Sequence, residues 1–186
     1  MDAWLRGPIA GVPPRLMPVA HGLTHALEDV ERAAAGLAPD ELWVRPGGAA
    51  SVGFHLRHIA GVIDRLLTYA RGESLLDAQF QALAAEQEPG SPPATAEELV
   101  GGVRAAVEKA VEQLRRTPPG SLLERRAVGR KGARSNVLGV LSHAAGHAER
   151  HAGQVVATAT IVRVLGLADV PSGTAQAAEE KPRRIA

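Results

Sequence analysis

The chain has 186 residues, of which 45% are hydrophobic, 22% charged and only 3% aromatic, the size and make-up of one globular domain with a core built mainly of Ala, Leu and Val. Lys and Arg number 21 against 20 Asp and Glu, a net charge of +1, which gives no footprint for a phosphate backbone, so nucleic acid is not an expected partner. With no cysteine, disulfides, thiolate ligands and a cysteine nucleophile are excluded, and any metal site must be made of nitrogen and oxygen donors.

Residues 1–19 hold four prolines and no apolar run long enough for a signal-peptide core or a membrane span, so a cytoplasmic protein with no membrane partner is expected. The first predicted helix covers residues 19–35, where Leu23, Leu27, Val30 and Ala34 recur at helical spacing before Gly36. Turn formers follow in Pro39-Asp40 and Arg45-Pro46-Gly47-Gly48. Ser51 then supplies an N-cap for a second helix that runs to about residue 71, with Gly72 as its stop.

Residues 73–94 show no strong period, and the prolines and glycine of residues 88–93 make an exposed connection. Thr95 and Glu98 have the spacing of a capping box, and Leu99, Val103, Val107, Val111 and Leu114 carry a third helix to about residue 116. Thr117-Pro118-Pro119-Gly120 ends it. A basic stretch with Arg125, Arg126, Arg130, Lys131 and Arg134 reads as a solvated loop. Ser135 is the expected cap of a long fourth helix ending near residue 166.

No internal repeat and no alternating strand pattern longer than a few residues is present. The expected fold is therefore all-α: a four-helix bundle with long connections, a single domain over residues 1–170, and a disordered tail over 171–186.

Seven histidines lie on these predicted helices: His21 and His25, His55 and His58, and His143, His147 and His151. The four-residue spacing in the last helix sets successive imidazoles one turn apart, within reach of a common ion. Advancing about 100° per residue places His151 near the centre of the apolar stripe, His147 on its shoulder and His143 at the rim. On the second helix the same procedure puts His55 closer to the core than His58. His21 and His25 read as ordinary helix-surface residues, and so does Glu149, which projects away from the side of His147 and His151. Gln154, three residues beyond His151, is placed to orient a ligand or substrate.

The stretch from Ser51 to Gly61 with Asp64-Arg65-Leu66, and the run His147-Ala148-Glu149-Arg150-His151-Ala152-Gly153-Gln154, resemble the second-helix and last-helix signatures of the DinB-like bundle proteins. The similarity extends from about residue 20 to 166. It implies a four-helix bundle, often a homodimer, with one divalent metal held by a second-helix histidine and the last-helix pair; carried onto this chain, these are His58, His147 and His151. His55 becomes a pocket residue or the rival third ligand, with His143 and Gln154 as further pocket candidates.

Imidazole ligands suit several metals, zinc or nickel being the expected ones. Thiol-dependent S-transferases in the wider superfamily imply transfer of a low-molecular-weight thiol to a small-molecule electrophile in detoxification or stress response. The alternatives are hydrolysis by metal-bound water and a noncatalytic metal-binding stress protein.

Overall fold

In a computed structural model that describes residues 1–166, the chain is mostly helical. The tail expected to be disordered lies outside the described residues. The helices are α1 (Met17–Ala34), α2 (Val52–Arg71), α3 (Asp77–Ala84), α4 (Ala96–Arg116) and α5 (Val137–Leu165), with a two-stranded sheet of β1 (Arg125–Val128) and β2 (Ala133–Asn136). The four long helices pack in a ring, α1 and α2 each lying against both α4 and α5. No described helix is long and apolar enough to cross a membrane.

The termini follow from local chemistry. Pro18 sits in the first turn of α1, where its missing N–H is no loss. Ser51 Oγ accepts from the Phe54 N–H at 3.2 Å to start α2, and Gly72, at φ 81°, ends it in the left-handed conformation. Thr95 and Glu98 cap α4 reciprocally, at 3.2 and 2.8 Å.

Leu23, Val30, Leu56, Ile59, Ile63, Val103, Leu114 and Leu141 fill the centre of the ring and are almost completely buried. Each such side chain contributes about 1.5–3 kcal/mol. Among the inward residues of α5, Ala144, Ala148, Ala152 and Ala159 are small and all buried, which lets α1 and α2 approach this helix closely on two sides.

Two connections differ from expectation. The basic stretch is an antiparallel hairpin in which Arg125 pairs with Asn136 and Val128 with Ala133, closed by Gly129 and Gly132 at positive φ. Arg126 is not a solvated loop residue, because its Nε donates to the Ala70 carbonyl at the end of α2, 2.7 Å away. Ser135 is held in this ladder opposite Arg126, so the cap of α5 falls one residue later: Asn136 Oδ1 accepts from the Gly139 N–H at 2.7 Å. The second difference is α3, whose Gln79 Nε2 donates to Thr68 Oγ1 on α2 at 3.0 Å. Its cap residue Leu76 and its apolar residues Phe80 and Leu83 are exposed, which explains why no inward stripe marked it.

Candidate metal centre

The helices α2 and α5 run antiparallel along their shared face, so rising numbers on one meet falling numbers on the other. His58 Nε2 lies 2.9 Å from His147 Nε2, and His55 Nδ1 lies 3.0 Å from His151 Nδ1. The His58 and His151 rings are 4.5 Å apart, and those of His147 and His151, one turn apart on α5, are 4.6 Å apart. His58, His147 and His151 each offer one nitrogen such that all three lie within 4.8 Å of one another. Phe54 backs the cluster, stacked on His58 at 5.3 Å and edge-on to His55 at 5.2 Å.

The dimensions suit a cation. Metal–imidazole bonds of about 2.0–2.1 Å set two ligand nitrogens about 2.9 Å apart at a right angle and about 3.3 Å apart at the tetrahedral angle. The 2.9 Å between His58 and His147 is within that range. The protonation states agree. Burial, reinforced by His58 and the other histidines nearby, pushes His151 down to about 4, and burial with His58 does the same to His55. Burial first, then His58 and His143, also lowers His147. These imidazoles are neutral near pH 7 and have lone pairs to offer.

Glu86, in the connection between α3 and α4, completes the cluster, and no sequence pattern singled it out. Its Oε2 accepts from His58 Nδ1 at 2.7 Å, and its Oε1 lies 2.8 Å from Arg65 Nη2. Burial alone would raise its pKa, but the hydrogen bonds and charges of His58 and Arg65 outweigh that and hold the carboxyl below its usual range. A carboxylate only accepts, so His58 Nδ1 carries a proton, which leaves Nε2, facing His147, as the nitrogen His58 can offer a cation.

The remaining candidates are dispersed. His55 is 4% exposed and joins the cluster through His151. His143 is exposed at the rim, its ring 5.5 Å from that of His147, and Gln154 is exposed. His21 bonds the Gly7 carbonyl at 3.0 Å, while His25 lies beside Asp29 and Glu149 on the α1 side. A small recess of about 80 Å³, lined by Arg45, Ala50, Ser51, Phe54 and Gln87, adjoins the centre through Phe54. A much wider cleft, about 860 Å³, lies at the far end of α2 between Arg71, Lys109, Glu112 and Arg126, and no histidine lines it.

A family model described as the DinB superfamily matches residues 23–155, a span that contains α2, the Glu86 connection and the three histidines of α5. No match was found among curated proteins.

Proposed function

The chain belongs to the DinB superfamily, and from that premise we propose that it is a metal-dependent enzyme whose divalent cation, zinc or nickel, is held by His58, His147 and His151. The observation that carries this reading is the convergence of one nitrogen from each of these residues within 4.8 Å, with three of the four clustered imidazoles held neutral by burial. A divalent ion in such a site acts as a Lewis acid, lowering the pKa of a bound thiol or water and polarising a substrate oxygen.

Thiol transfer to an electrophile is the reaction favoured. A thiol ionises at about 8.5 unaided, so a modest shift is enough and no dedicated base is needed. The carboxylates near the centre are not placed to serve as one: Glu86 has its oxygens turned to His58 and Arg65, and Glu149 is exposed on the far side of α5 beside His25. Phe54 and the recess beside it offer an aromatic wall, a guanidinium and an amide, from Arg45 and Gln87, to a small substrate.

The test is an assay of zinc- and nickel-loaded protein against a panel of small electrophiles, with and without low-molecular-weight thiols. Metal-dependent loss of both thiol and electrophile is expected. Ester or amide cleavage that needs no thiol would instead support hydrolysis. Stabilisation by metal with neither activity would support a noncatalytic role.

A further inference from the structure

We propose that Glu86, paired with Arg65, is a positioning residue that fixes His58 in the one tautomer able to present a lone pair toward His147 and a shared cation; this rests on the metal reading above. Glu86 and Arg65 are 4% and 7% exposed. Two charges so deep in an apolar setting are costly unless their geometry serves something, and an apolar pair would fill the same volume at less expense. Here the carboxylate has a third partner, the Nδ1–H of His58 at 2.7 Å.

The surroundings are shaped for this contact. A Cβ at Gly61 would stand 2.7 Å from both Arg65 Nη1 and Glu86 Oε1, so a side chain at this mid-helix position, where glycine is otherwise unfavourable, would force the pair to shift. The connection that carries Glu86 is strapped to α2 from the residue next to His58. Arg57 Nη1 donates to the carbonyls of Ala85, at 3.0 Å, and Glu88, and its Nη2 donates to that of Pro89 at 3.2 Å. The Arg57 guanidinium itself lies over the Trp43 ring, 5.1 Å from its centre. Helix α2 thus grips the connection through Arg57 and receives its carboxylate at His58.

The chemical consequence is specific. In a neutral ring with its proton on Nδ1, the bare nitrogen of His58 is Nε2, the atom that faces His147 Nε2 at 2.9 Å. The other tautomer would put a proton where a cation must bind and set a lone pair against Glu86.

Long-range ¹H–¹⁵N correlation on full-length, metal-free protein labelled at histidine nitrogen reads the tautomer directly. Wild type should show His58 protonated at Nδ1 alone. In Glu86→Gln the single amide oxygen is claimed by Arg65, the amide N–H₂ turns to His58, and the imidazole should move to the Nε2–H form. Zinc affinity, measured by competition with a chelating dye, should then fall by about 10- to 100-fold. Gly61→Ala keeps every charge but displaces the pair, and should weaken zinc in the same direction with helical circular dichroism unchanged. Wild-type His58 in the Nε2–H form, or both variants with unaltered tautomer and zinc affinity, would overturn the proposal. Should wild type take up no zinc, the metal reading falls, and the tautomer measurement still decides whether Glu86 orients His58.

Discussion

Acidification should unfold the metal-free protein through its buried histidines, and His55 allows the effect to be sized. Burial and the neighbouring His58 lower its pKa from 6.5 to about 4, and at 4% exposure it is little screened by solvent. The folded state binds its proton less readily than the unfolded state, so the stability tied to this group is complete above about pH 6.5 and is lost as the pH falls toward 4. Between pH 7 and pH 5 the two titration curves separate by about 2 kcal/mol. Urea denaturation of the metal-free protein at pH 7, 6 and 5 should show at least that loss, with His151, lowered by the same causes, adding to it. In His55→Leu the loss over the same interval should shrink by about 2 kcal/mol. If wild type and His55→Leu lose equal stability between pH 7 and pH 5, His55 is not a buried neutral imidazole.

The relocated cap of α5 gives a paired test: Asn136→Ala should cost about 1 kcal/mol in thermal or urea unfolding while Ser135→Ala stays within about 0.5 kcal/mol of wild type. Gly53→Ala would bring a methyl to 2.7 Å from Trp43 Cε2 and Cζ2, and the overlap should cost about 1–3 kcal/mol in the same measurement. His25→Ala, far from the centre on α1, should leave zinc affinity within about twofold by dye competition, since surface changes away from a site are nearly neutral.

The architecture was legible where periodicity and punctuation agreed. Ser51 and Gly72 bound α2, Thr95 and Glu98 open α4, and Gly166, at φ 56°, closes α5, each because a backbone group at a helix end needs a specific partner or conformation. What the pattern missed lay outside long amphipathic helices. The strands of the hairpin are four residues each and mostly polar, and α3 turns its apolar side chains to solvent.

Helical phase read burial correctly on α2, since His55 lies deeper than His58. Burial is not the same as meeting His147 across the groove, and that is where the flank position of His58 places its Nε2. Glu86 was invisible for a related reason: it reaches His58 across 28 residues of chain, held there by Arg57 and Arg65, and no local spacing encodes such a contact.

The proposed function rests on imidazoles from α2 and α5 sharing one cation. Elemental analysis of untagged protein, loaded with zinc and dialysed, tests it most directly across wild type, His55→Ala, His58→Ala, His147→Ala and His151→Ala. One zinc per chain is expected in wild type and in His55→Ala, and a marked loss in each of the other three. A site emptied by His55→Ala but not by His58→Ala, or zinc retained by all four variants, would rule out a cation shared by His58, His147 and His151.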